Sequence, residues 1–136
     1  MARKVKKNYI YAVGRRKESS ARVRLFKGSE ESTVNGQLVG KYFPGDVARA
    51  GWTRPFEMLE IGTGKYYFTV KVVGGGKEGQ LDAVIFGVSR ALGKVKEDYR
   101  KVLRKAGLLT RDSRVRERRK VGMGGKARRK KQSPKR

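Results

Sequence analysis

Tyr66-Tyr67-Phe68-Thr69-Val70-Lys71-Val72-Val73, then Gly74-Gly75-Gly76-Lys77-Glu78-Gly79, then Gln80-Leu81-Asp82-Ala83-Val84-Ile85-Phe86-Gly87-Val88-Ser89-Arg90-Ala91-Leu92, reads as a strand, a glycine turn and a helix. The first block is rich in aromatic and β-branched side chains, which suit a pleated surface. In the third, Leu81, Val84, Ile85, Val88 and Leu92 fall at i, i+3, i+4, i+7 and i+11, an apolar stripe along one helix face. Arg90 and Lys94 stand near the end of that helix, where its dipole favours cations. A second helix is expected over residues 97–106. Glu97 and Asp98 suit its first turn, Tyr99, Val102, Leu103 and Ala106 repeat at helical spacing, and Gly107 closes it.

Upstream, residues 8–13 form a strand by composition, which Gly14-Arg15-Arg16-Lys17 is expected to break. Residues 21–26 alternate, with Ala21, Val23 and Leu25 on one side and Arg22, Arg24 and Phe26 on the other. One face is core; the other presents cations beside an aromatic, or simply protects an edge with charge. Thr33-Val34-Asn35-Gly36 is a short strand ending in a turn, since Asn-Gly tolerates positive φ. Residues 37–43 and 46–52 read as brief helical pieces punctuated by Pro44-Gly45. After Pro55, residues 56–61 read as a strand, and the turn Gly62-Thr63-Gly64-Lys65 makes a hairpin of it with residues 66–73. No internal repeat is present. The order of strands and helices points to a two-layer α/β (α+β) sandwich, a small sheet with its helices on one face. That body occupies residues 1–109, including a short basic N-terminal arm.

Residues 110–136 cannot be a domain. They carry thirteen Lys and Arg against Asp112 and Glu117, and their apolar side chains amount to Val115, Val121, Met123 and Ala127. That is too little burial to offset an ordering cost of roughly 1–2 kcal/mol per residue. Such a basic tail is expected to await an anionic partner, and fully extended it would reach about 90 Å, against a radius of gyration of about 13 Å for the body. Asp112 and Glu117, each flanked by Arg, read as local charge partners that shape it.

Charge decides the partner class. Of the 136 residues, 36 are Lys or Arg and 12 Asp or Glu, a net charge of +24, of which the tail's +11 leaves +13 on residues 1–109. A merely solvated surface would interleave both signs, whereas self-repulsion of this size calls for bound polyphosphate. A membrane-surface role would need a long amphipathic helix beside the basic run, and none is legible. The absence of Cys excludes disulfides, thiol catalysis and Cys-ligated zinc, and the absence of His removes the usual neutral-pH proton shuttle. No apolar run has the length of a membrane span, and the basic start lacks the apolar stretch of a signal peptide, so a soluble cytoplasmic protein is expected.

Catalytic readings fail. Gly74-x-Gly76-x-x-Gly79 satisfies the dinucleotide pattern, but no second parallel strand follows its helix. A flexible turn into a helix whose N-terminus faces a phosphate is the better reading. Gly64-Lys65 resembles the end of a P-loop, yet Tyr66 stands where Ser or Thr is needed and Leu59 where the first Gly belongs. The scattered acids read as partners for neighbouring cations, so neither an enzyme nor a cofactor or metal is expected. Base-specific DNA readers carry a helix-turn-helix, zinc or basic-zipper element, none of which is present. Arg-rich loops with an arm that orders on binding suit folded RNA.

Gly14-Arg15-Arg16-Lys17-x-Ser19-x-Ala21-Arg22-Val23 resembles the opening signature of the bacterial-type small-subunit ribosomal protein nine family. The resemblance runs on through Asn35-Gly36, Tyr42-Phe43 and Gly74-Gly75-Gly76-x-x-Gly79-Gln80-x-x-Ala83-x-x-x-Gly87-x-x-Arg90-Ala91-Leu92. It continues in Leu103-Arg104-x-x-Gly107-Leu108-Leu109-Thr110-Arg111-Asp112-x-Arg114-x-x-Glu117-Arg118, Ala127-Arg128 and Lys135-Arg136. It implies a left-handed βαβ crossover, against the usual hand. It also implies a seat in the head of the small subunit, on the 3′ domain of its ribosomal RNA and beside other head proteins.

By that resemblance Arg15, Arg16, Lys17 and Arg22 contact rRNA, and Arg24 and Arg104 are further rRNA-binding candidates. Arg111, Arg114, Arg118, Arg119, Lys120, Arg128 and Arg129 line a tail threaded toward the decoding region, and Lys135 and Arg136 meet the peptidyl-site tRNA. The chain departs from the family pattern at Gln132-Ser133-Pro134, where an aromatic and a Ser are usual, and in the glycine-rich Gly122-Met123-Gly124-Gly125. Two other classes share the charge and size: the protein subunit of a ribonuclease P-like ribonucleoprotein, and a DNA-compacting architectural protein.

Overall fold

Ala12, Gly14, Ala21, Val23 and Leu25, buried at every second position, build the first hairpin in the structure, a computed structural model that describes residues 8–62, 64–116 and 118. β1 (Ile10–Arg16) and β2 (Ser19–Lys27) pair antiparallel from Ile10 opposite Leu25 to Arg16 opposite Ser19. Gly14 therefore does not break the first strand, which runs through both arginines. The turn falls instead at Lys17, whose φ is +52°. Gly14 is accommodated because it sits on the buried side of β1, where only a residue without a side chain fits.

β5 (Tyr66–Val73) lies antiparallel along the other side of β2 and parallel to β3 (Thr33–Val34), which is closed by β4 (Gln37–Leu38). The sheet order is β1-β2-β5-β3-β4. Asn35 (φ +51°) and Gly36 (φ +80°) make the two-residue turn between β3 and β4, as the Asn-Gly pair predicts. The Asn35 side chain prolongs the ladder: its Nδ2 donates to Val72 O (3.0 Å) and its Oδ1 accepts from Val72 N (2.9 Å). The parallel pair β3 and β5 is joined through α1 (Val39–Tyr42) and α2 (Asp46–Met58), which together form the crossover.

Two expectations fail around α2. Residues 56–61 are not a strand, and there is no hairpin between them and residues 66–73. Phe56 belongs to α2, which runs through Pro55 to Met58, and β5 takes a central place between β2 and β3. The reason is packing: Trp52 and Phe56, one helical turn apart, place their rings 6.0 and 6.2 Å from the ring of Phe68. Both Phe56 and Phe68 are fully buried, which is worth roughly 1.5–3 kcal/mol for each ring. An extended 56–61 would leave that contact unmade. Residues 37–43 likewise begin as strand before their single helical turn.

α2, α3 (Lys77–Val95) and α4 (Glu97–Lys105) cover one face of the sheet, and Gly107, at φ +78°, ends the last as expected. The core comprises Ala21, Val23, Leu25, Phe68, Val70 and Val72 from the sheet with Ala83, Val84, Val88, Leu92 and Leu103 from the helices. α3 lies unusually near β1. A Cβ on Gly14 would come 1.9 Å from Ala83 O, and one on Gly87 2.6 Å from Val23 Cγ2. Two glycines facing each other across the layers thus allow backbone-to-backbone contact. The body with its helices on one face is as expected.

Candidate nucleic-acid interface

The close seat of α3 has a consequence at the edge of the sheet. Arg90 Nη1 donates to Val13 O (2.6 Å) and Lys94 Nζ to Tyr11 O (2.7 Å). Both carbonyls belong to the outer edge of β1, so the two cations occupy acceptors that would otherwise invite another strand. Holding Arg90 there also draws it beside two arginines distant in sequence. Arg15, Arg90 and Arg111 line a cleft of about 270 Å3 with Val13 and Phe86. The Arg90 guanidinium lies 5.7 Å from the centre of the Phe86 ring. No acid lines this cleft, so the three charges face a common space with nothing in it to neutralise them.

Arg16 has a different fate. Its side chain is 10% exposed, reaches Asp82 at 3.7 Å and Asp112 at 3.4 Å, and donates through Nη1 to Arg114 O (2.5 Å) and Asp112 O (3.4 Å). Arg114 in turn grips the Asp112 carboxylate with Nε and Nη2 at 2.7 to 3.0 Å. Hydrogen bonds from the Arg114 side chain and backbone hold the Asp112 carboxyl well below the usual carboxylate range. A depressed value means that the pairing is complete above about pH 4 and weakens only as the pH falls further. Asp112 thus pairs locally with Arg114, as expected, but the root of the tail is also fastened to the end of β1 through Arg16, which the local reading did not include; Glu117 lies outside the described residues.

The glycine run is packed as well, not flexible. Gly74 and Gly75 take φ of +78° and +66°, and a Cβ on Gly75 would come 2.1 Å from Ser19 Oγ. Ser19 Oγ and Gln80 Nε2 both donate to Gly74 O (3.0 and 3.1 Å), and Tyr42 Oη donates to Gln80 Oε1 (2.7 Å). Lys77 sits 3.3 Å over the Tyr42 ring and donates to Tyr42 O (3.3 Å). This network binds the β3–β4 side of the sheet to the start of α3.

The remaining expected contacts divide by place. Lys17 is exposed at the β1–β2 turn and Arg104 in the last turn of α4. Arg22 and Arg24 project from the sheet face opposite the helices, with Arg24 5.1 Å from the Tyr9 ring centre. Arg114 and Arg118 are exposed. Arg119, Lys120, Arg128, Arg129, Lys135 and Arg136 lie outside the described residues. Arg90 and Lys71, both cations at these surfaces, escaped the sequence reading: the first looked like a helix-end charge, the second like a strand residue, and only pairing register brings Lys71 beside Arg22. Among the described residues no cluster of acids could hold a metal, and no helix is long and apolar enough to cross a membrane.

The profile of the ribosomal protein S9/S16 family matches residues 14–136, from the glycine of the close β1–α3 contact to the end of the basic tail. The chain belongs to that family. It is 45% identical over 113 residues to the small ribosomal subunit protein uS9 of Leifsonia xyli subsp. xyli, covering 82% of this chain and 67% of that one. It is 42% identical over 119 residues to uS9 of Maridesulfovibrio salexigens, with 88% and 91% covered. With uS9 of Arthrobacter sp. it shares 43% over 113 residues. Membership of the S9/S16 family makes the chain a structural constituent of the small ribosomal subunit rather than an enzyme.

Proposed function

We propose that this S9-family protein binds the ribosomal RNA of the small-subunit head, its 3′ domain, and sends residues 110–136 from there toward the peptidyl-site tRNA. The observation that carries the reading is the convergence of Arg15, Arg90 and Arg111 on one acid-free cleft. Three guanidiniums whose charges are not cancelled locally favour phosphate oxygens, which they meet by short, charge-assisted hydrogen bonds. Arg111 also stands at the root of the tail, so the cleft and the run of cations that follows form one continuous basic track in the chain. The Arg16 anchor supports this by fixing where that track starts. Lys17 and Arg104 widen the RNA surface of the body, and neighbouring head proteins complete its seat. Lys135 and Arg136 meet the tRNA backbone at the end.

Footprinting tests it. Small-subunit rRNA, with its other early-binding proteins present, is probed with the full chain and with a chain ending at Leu109. Both are expected to protect the 3′ head domain, and only the full chain to extend protection toward the decoding region. Equal footprints would remove the tail from the mechanism, and absence of localised protection by either would remove the reading altogether.

A further inference from the structure

The face of the sheet away from the helices carries Arg22 and Arg24, expected above to meet rRNA, together with Tyr11 and Lys71, to which nothing above gives a role. Pairing register arranges it in rows across β1, β2 and β5: Tyr11 beside Arg24 and Thr69, then Val13 beside Arg22 and Lys71. A shallow cleft of about 710 Å3 crosses it from Tyr11 on the edge strand to the Asn35-Gly36 turn, lined among others by Arg22, Arg24, Thr69 and Lys71, and no acid lines it. Arg22, Arg24 and Lys71 are exposed, and Tyr11 keeps 43% of its surface, among the largest exposed aromatic surfaces of the body. The next row along β2 and β5 is aromatic: the Phe26 ring stacks on Tyr67 at 5.1 Å and meets Tyr9 at 5.5 Å.

We propose that this open face is a second RNA surface, one that takes unpaired nucleotides, with a base stacked on Tyr11 and the adjoining phosphates on Arg22, Arg24 and Lys71. The inference rests on the RNA-binding reading above and deepens it. Charge complementarity selects a polyanion, since the cations of the cleft have no acid beside them. The exposed ring selects unpaired nucleotides, because bases within a duplex are stacked on one another and present only their edges and backbone. A sheet face with an exposed aromatic ring beside cations offers an unpaired base a stacking partner and its backbone a counter-charge at once. The arginine cleft at the β1 edge, by contrast, has guanidiniums and no exposed ring stack, and suits backbone alone.

The test places a photo-crosslinker in the assembled particle by the substitution Tyr11→p-benzoylphenylalanine in the full chain. Sedimentation with the small subunit reports the general reading, and the crosslinked product reports this one. Crosslinks are expected to RNA, at nucleotides that react with base-modifying reagents in subunits assembled without the protein. A crosslink to a neighbouring protein, to paired nucleotides, or to nothing while the protein cosediments would overturn the proposal and leave the general reading intact. Failure to cosediment would overturn both. In parallel, Tyr11→Leu should weaken binding of a single-stranded 12-nucleotide RNA by roughly tenfold while duplex binding stays within twofold. Equal losses on both probes would overturn the stacking role.

Discussion

Replacing Gly14 by Ala would drive a Cβ to 1.9 Å from Ala83 O and 2.4 Å from Gly87 N. Neither is the movable end of a side chain, so α3 must lift from β1. Gly14→Ala should cost about 3 kcal/mol, at the upper end for overpacking, in urea denaturation of the intact chain. Gly40→Ala, where an added Cβ meets nothing within 4 Å, should stay within about 0.5 kcal/mol. Equal stabilities would mean that the two layers are not in backbone contact. The same scale reassigns much of the signature. Gly14, Ser19, Asn35, Tyr42, Gly75 and Gln80 carry the resemblance to the family, yet each is engaged in holding strand to helix or turn to turn. Arg16, also in the signature, is engaged with Asp82, Asp112 and Arg114.

At the scale of elements, β1 is an edge strand whose outer carbonyls at Tyr11 and Val13 are occupied from α3. An uncovered edge pairs with other chains. The double substitution Arg90→Ala, Lys94→Ala should therefore leave the monomer folded but promote concentration-dependent association, read by analytical ultracentrifugation. A monomer at every concentration would show that the edge needs no cover. This contact was only half legible beforehand. Helical spacing correctly placed α3 and its cations, and the length of β5 was plain from its composition. The α2 boundary was not, because residues 56–61 satisfy a strand pattern as well as a helical one. Their partner, Phe68, is named by tertiary packing alone.

For the whole molecule, binding should be dominated by counterion release. If about eight phosphates are neutralised, the logarithm of the association constant should fall with that of salt concentration at a slope of about −6. A chain ending at Leu109 should fold and bind with a shallower slope, because it keeps Arg15 and Arg90 but loses Arg111 and the tail. A salt-insensitive affinity for the full chain would exclude the electrostatic account.

Composition alone carries the expectation of a polyanionic partner and of a basic tail beyond the body, because charge and the supply of apolar side chains are sums over residues and need no coordinates. Local pattern settled β2, β5, α3 and α4, whose periodicities are unambiguous. What tertiary structure alone decided was which cations face outward. Arg15 and Arg16 are neighbours of identical chemistry, but consecutive strand residues point to opposite faces. One opens toward Arg90 and Arg111 from across the fold, and the other is buried at the tail's root. That distinction depends on contacts between residues some 75 to 100 positions apart, to which no local property of the sequence is sensitive.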